Sequence, residues 1–379
     1  MPVRLAITLL LTSLACAPTG GGPGFGAETV ASGGEEGSAC DPNVANVGCY
    51  GTFVMTCGPS RSWSRDQACP MGMMCSDAAG DGEPVCVQMG AADGAAADGG
   101  SADVGSSATP QELACERWAA DRVDLSEGKW SGNVAACKPG ELSEQAIDNS
   151  LRLVNLYRHF AGLPAVVDDP DLNSKAQACS LIMAANKSLS HTPPSNWKCW
   201  TQVGAAAAKK SNISTAAGVR SVDRYVIDSG ANNAATMGHR RWILSRSLGP
   251  IGVGSTVSGA SCLHVIGGSG KVAKAWTAWP SPGPLPVAAM RPYKGGNVDV
   301  TGWTVQSDTI NVTNATVKVS SDGAVLQVTS RKLQGGYGSK YAIAFVPKGW
   351  ASAAGRTYTV EIGGIATPFS YVVEMLGCK

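Results

Sequence analysis

The chain has 379 residues, a formal net charge of +1 and 13 cysteines. That charge balance excludes the electrostatic footprint of a nucleic-acid binder, and no apolar run reaches the roughly 20 residues that a membrane-spanning helix needs. The length suggests two or three domains.

Arg4 precedes an apolar run of eleven residues, Leu5 to Ala15, which reads as a signal peptide over 1–15. The run ends in Ser13-Leu14-Ala15-Cys16, which looks like a bacterial lipobox. Cys16 is then the expected acylated residue, attaching the protein to a bacterial outer membrane or cell surface through a lipid anchor only. The alternative is a plain signal peptide with an incidental cysteine, and a secreted product. Export leads to an oxidising compartment, where the 12 cysteines left after Cys16 can all pair.

Residues 16–39 are rich in Gly, Ala, Pro, Ser and Glu and are expected to be a flexible tether. Residues 40–87 then hold six cysteines, at 40, 49, 57, 69, 75 and 86. So short a segment lacks a sufficient core, so three internal disulfides are expected. Zinc is disfavoured, because the segment has neither CxxC spacing nor histidine. Tyr50, Phe53 and Trp63 are either its core or a sugar-stacking face. Low-complexity residues 88–111 read as a linker, and 112–141, with Cys115 and Cys137 around Trp118 and Trp130, as a stapled lead-in.

From Leu142 the pattern turns helical. Ser143 is a candidate N-cap, and Ile147, Leu151, Val154, Tyr157 and Ala161 recur at helical spacing, up to the stop signal of Gly162 and Pro164. A second helix is expected after Asp169-Pro170, carrying Leu172, Ala176, Cys179 and Met183, and a third from about Ser214. Ile251–Gly254 and Cys262–Ile266 read as strands, whereas the prolines of Ala278–Gly283 argue against regular structure. Helices followed by strands give an α+β or three-layer domain over 142–290.

Four fragments in this domain carry a specific resemblance. Leu153-Val154-Asn155-Leu156-Tyr157-Arg158 with Ala161-Gly162-Leu163-Pro164, Leu172 to Cys179, Leu189-Ser190-His191, and Gly238-His239-Arg240-Arg241-Trp242-Ile243-Leu244 occur in the order found in CAP (SCP-like) domains. That superfamily includes cysteine-rich secretory, antigen-5 and pathogenesis-related proteins. The resemblance implies an α-β-α sandwich with His191 and His239 lining a cleft, where many members add two acids. Asp228 falls at the second acidic position, and Ser211 replaces the first. His191, Asp228 and His239 are thus the candidate metal set, expected to hold zinc weakly if at all. Arg240 and Arg241 are expected to orient Asp228, to meet an anionic ligand, or to be one structural and one solvated arginine.

Other motifs fail. Gly267-Gly268-Ser269-Gly270-Lys271-Val272 lacks the spacing and hydroxyl of a P-loop, and no Gly-x-Ser-x-Gly occurs. His159 and His264 read as structural. The sequons at Asn186, Asn212, Asn311 and Asn314 read as coincidence.

Residues 291–379 alternate as strands do, near 298–305, 310–319, 325–333, 341–347, 357–363 and 368–376, which suggests an immunoglobulin-like sandwich. Sequence proximity favours Cys115–Cys137 and Cys179–Cys199, leaving Cys262–Cys378 by elimination. The functional expectation is a non-catalytic, tethered module whose cleft binds a small hydrophobic or cell-envelope ligand. Its rivals are a metal-dependent hydrolase acting on peptide or cell wall and a purely structural or adhesive envelope protein.

Overall fold

The computed structural model describes residues 108–379 and, before them, five strands at the level of the backbone. It divides into two compact units, the second holding all of 108–379. In the earlier part, β1 (Val47–Tyr50), β2 (Phe53–Cys57) and β3 (Trp63–Ala68) form one sheet, and β4 (Met73–Ser76) pairs with β5 (Val85–Gln88). The expected signal peptide, Cys16 lipidation, tether and six-cysteine pairing lie outside the described residues; of the linker expected over 88–111, Pro110 and Gln111 instead open α1. Among the described residues no helix is long and apolar enough to cross a membrane.

Helix α1 (Pro110–Ala120) starts with a capping box between Thr109 and Glu112, which satisfies two backbone donors at its N-terminus. Its Trp118 is buried edge-on against Tyr157 of α2 (Glu144–Phe160). On the same helix, burial pushes the His159 imidazole down to about 4, with the positive charge of Arg117 adding to the effect. His159 is therefore a neutral structural side chain. Helix α3 (Pro170–Asn186) is capped as its sequence predicts: Asp169 Oδ1 accepts from the amides of Asp171 and Leu172 at 2.8 and 3.0 Å.

After α4 (Gln202–Ala208) come β6 (Ser211–Ser214), α5 (Gly218–Ile227), α6 (Gly238–Ile243), β7 (Gly252–Ser255) and β8 (Ser261–His264). The third helix begins at Gly218 and not near Ser214, because Ser211–Ser214 pairs antiparallel with β8. The sheet order is β6-β8-β7. Strand alternation sends Cys262 and Ile213 into one apolar cluster with Ala176, Cys179 and Met183 of α3, and Leu263 and Val253 into another with Val222 and Val226 of α5. Helices thus cover both faces, giving three layers. Contact between α3 and β7 needs glycine: a Cβ on Gly254 would stand 2.1 Å from the Ala176 carbonyl carbon, and one on Gly252 2.3 Å from the Leu172 oxygen. The amide side chain of Gln177 then pairs with the Ser255 N–H and C=O at 3.0 and 2.8 Å, completing an edge strand that lacks a neighbour.

The remaining elements are β9 (Thr277–Trp279), β10 (Gly283–Pro286), the short α7 (Val298–Thr301), β11 (Trp303–Ser307), β12 (Thr316–Ser321), β13 (Ala324–Leu326), β14 (Val328–Lys332), β15 (Tyr341–Pro347), β16 (Thr357–Gly363) and β17 (Phe369–Leu376). They form a five-stranded sheet ordered β10-β17-β16-β12-β13 and a four-stranded sheet ordered β14-β15-β11-β9. Three corrections to the expected strands follow. In the expected irregular segment 278–283, Pro280–Pro282 lie outside any strand, but Thr277–Trp279 and Gly283–Pro286 pair as β9 and β10, edge strands where a missing N–H is tolerated. The first half of the expected 298–305 strand is a helical turn, capped by the Asn297 side chain. The strand expected from 310 begins at Thr316. Trp303, Phe345, Tyr358 and Val360 join the two sheets in the same apolar cluster as Leu153, Val154 and Tyr157 of α2. Trp279 of β9 is fully buried with its ring 5.2 Å from that of Tyr157, so one core runs from α2 into the sheets.

Each disulfide expected after residue 111 is corrected. The bonds are Cys115–Cys378, Cys137–Cys199 and Cys179–Cys262. Proximity along the chain misleads here because the packing of α3 on β8 places Cys179 against Cys262. The N-terminal helix also returns to the last strand, where Gln111 Nε2 donates to Glu374 at 2.9 Å. Cys115–Cys378 closes a separation of 263 residues, and loss of a native disulfide typically costs about 2–5 kcal/mol. Peptide mapping without reduction should recover these three pairs, and Cys378→Ser should lower the unfolding free energy by about that amount. A Cys115–Cys137 peptide would refute the arrangement.

Candidate functional site

The cleft is a cavity of about 680 Å³. It is lined by the loop after α3, by β6, by the end of α5 and by the start of α6. His191, Ser211 and His239 all line it, so the structure brings together three of the positions singled out in the sequence.

Each histidine is held through Nδ1. His191 Nδ1 lies 2.9 Å from the Ala208 carbonyl oxygen, and His239 Nδ1 lies 2.9 Å from Asp228 Oδ1. A carbonyl and a carboxylate both accept, so each ring donates through Nδ1, and Nε2 has no partner among the described residues. The His239 ring also rests 5.4 Å from the Tyr225 ring, and the carbonyl of His239 accepts from Asn212 Nδ2 at 3.0 Å.

Asp228 is buried in the left-handed conformation that ends α5 and is not part of the cleft lining. Its Oδ1 accepts from His239 Nδ1–H and its Oδ2 accepts from the Arg240 amide at 3.2 Å. It therefore acts as a positioning group behind the imidazole. Ser211 is also fixed, its hydroxyl donating to the Ala207 carbonyl at 2.8 Å. Among the described residues no three His, Cys, Asp or Glu side chains gather as a metal-binding group. The expected triad of His191, Asp228 and His239 thus becomes two cleft imidazoles plus a carboxylate behind one of them. Two imidazoles without a third protein ligand do not fit a resident zinc centre.

Of the three readings expected for the arginine pair, the structural role holds and extends to both residues, and the others are corrected. Neither guanidinium enters the cleft or binds Asp228, and neither is solvated. Arg240 is fully buried and donates to the carbonyls of Val226, Ile227 and Gly302 and to the hydroxyls of Thr301 and Thr304. Arg241, 1 % exposed, donates to the carbonyls of Thr236, Gln334 and Ser339 and to the Ser339 hydroxyl. Burial lowers both guanidinia to about 10, which leaves them charged at neutral pH.

Sequence reasoning missed several wall residues. Asn212 and Trp242 sit next to motif residues, and Tyr225 lies three before Asp228, so adjacency marks them. Tyr337 had no such signal. It comes from the loop between β14 and β15, nearly 100 residues further on, and packs against Gly238, where a Cβ would come within 2.9 Å of its ring. Arg241 holds that loop through Gln334 and Ser339, while the Gln334 amide donates to the Ala235 carbonyl at 2.9 Å. The C-terminal sheets therefore supply one wall of the cleft.

The lining carries Lys209 and Arg224 along with the two histidines, and no Asp or Glu among the described residues. Burial raises the Tyr225 phenol well above its ordinary range, so it enters the site only as a neutral group.

Residues 151–266 match the model of the Cysteine-rich secretory protein family, CAP. This stretch lies within the expected 142–290 domain and ends before the two C-terminal sheets. No curated protein and no solved structure matches the chain. With three layers, two cleft histidines and a matching family model, residues 151–266 are a domain of the CAP superfamily.

Proposed function

We propose that this protein is an exported, surface-tethered binding module whose cleft holds a small polar or anionic cell-envelope ligand without transforming it. One observation carries the reading: among the described residues no carboxylate lines the cleft, where two imidazoles and two cations do. The Asp228 oxygens are both taken and Ser211 stands at the other acidic position, which leaves no carboxylate to serve as general base beside a bound water. Lys209 and Arg224 favour an electronegative ligand over a bare hydrocarbon, and the rings of Tyr225, Trp242 and Tyr337 offer apolar contact. The three disulfides among the described residues suit an oxidising compartment. Anchoring through Cys16 and an immunoglobulin-like role for the C-terminal sheets belong to the same proposal.

Trp242 lines the cleft, so its fluorescence reports occupancy. Soluble cell-wall fragments should change it saturably, and Tyr337→Ala and Arg224→Ala should each weaken that binding by about tenfold. Cleavage products from the same fragments would favour the hydrolase instead. Saturation unchanged by either substitution would place the ligand elsewhere.

A second reading rests on the two free Nε2 atoms. Histidines whose Nδ1–H is held by an oxygen acceptor are oriented as metal ligands are. Two such ligands give only weak zinc binding, removable by a chelator without unfolding. Ser211→Glu adds an anionic ligand to the cleft and should tighten zinc by about tenfold or more in a calorimetric titration. His191→Ala should abolish the binding. Equal affinities in the wild type and both variants would remove the cleft as a metal site.

A further inference from the structure

A second cavity of about 570 Å³ lies beside the cleft and shares only Ile266 with it. We propose that this cavity is a separate binding site for a phosphate monoester, with His264 donating to the oxyanion and Lys210 as its counter-charge.

His264 ends β8, the central strand of its sheet, and is 7 % exposed. Neither of its ring nitrogens has a hydrogen-bond partner among the described residues, although the ring lines the cavity. A ligand accepting from the ring would give it the partner it lacks.

The charged groups around the ring decide the sign of that ligand. Lys175, Lys210 and Asp169 line the cavity, and Asp171 stands close by. Asp171 pairs with Lys175, and Asp169 Oδ1 is held by the first amides of α3. Lys210 has no carboxylate partner among the described residues and is left to meet an anion. Desolvation, followed by the fields of Lys210 and Lys175, lowers the His264 imidazole, so the ring is neutral in the empty cavity. A bound dianion reverses that balance, and the ring takes up a proton to pair with it. Leu172, Val203 and Ala206 add apolar lining, which suits an ester body better than a free phosphate ion.

Phenyl phosphate, inorganic phosphate, benzoate and phenol separate the components when titrated into the full chain. Binding is read by calorimetry and by the His264 ring resonances. Phenyl phosphate should bind at least about tenfold more tightly than phenol or inorganic phosphate, and more tightly than benzoate. Its affinity should fall roughly fivefold between about pH 6.5 and 8, as the cost of protonating the ring grows. Lys210→Ala, an exposed position, should weaken binding by about tenfold, and His264→Gln should remove the pH dependence. His239→Ala, in the other cleft, should leave this binding intact. Equal affinity for phenol, unmoved His264 resonances or an indifferent Lys210→Ala would overturn the proposal. Stronger binding of benzoate would reassign the site to carboxylates and overturn the phosphate class.

Discussion

Two buried guanidinium groups hold this structure together. Arg240 and Arg241 follow the cleft histidine directly, and neither side chain pairs with a carboxylate. Their charge is dispersed over carbonyls and hydroxyls drawn from two sides of the molecule. Arg240 joins the end of α5 to α7 and β11, and Arg241 joins the approach to α6 to the β14–β15 loop. A buried charge is tolerable only when its hydrogen bonds are made. The helical domain and the C-terminal sheets therefore cannot separate at this point without exposing or orphaning two cations. His239 is fixed between them, its ring held by Asp228 and the next amide tied to the same carboxylate.

The motifs that mark the family in the sequence are mostly architectural. In the opening fragment, Asn155 brackets both the N–H and the C=O of Val166, and Arg158 reaches the carbonyls of Pro164, Ile243 and Ser245. In the second fragment, Asn173 and Gln177 complete the edge of β7. Only the two histidines put chemistry into the cleft. A motif search finds the scaffold because buried polar contacts constrain residue identity at every such position. The ligand leaves no comparable mark, because a cleft wall accepts many side chains.

What the sequence made legible follows from the range of the interactions. Local rules placed α2, α3, β7, β8 and the last three strands, since periodicity and capping act within a few residues. They failed where distant partners decide: Ser211–Ser214 is a strand because β8 lies beside it, and β9 and β10 become strands because β11 and β17 pair with them. The disulfides failed for the same reason. At the site, the histidines and Asp228 were readable through the resemblance to CAP domains, but the carboxylate's place behind the ring was not. Tyr337 was invisible, because only the folded β14–β15 loop brings it to Gly238.

Residues 108–379 form one cooperative body, with a core running from α2 into the sheets and Tyr337 of the β14–β15 loop completing the cleft. Hydrogen exchange of the full chain under increasing denaturant tests it most directly. The account predicts that amides of α3 and β8 and amides of β15 and β16 become exchangeable together, at one denaturant concentration. Opening of β15 and β16 well before α3 and β8 would contradict it, and would make the sheets an independent neighbour of the cleft.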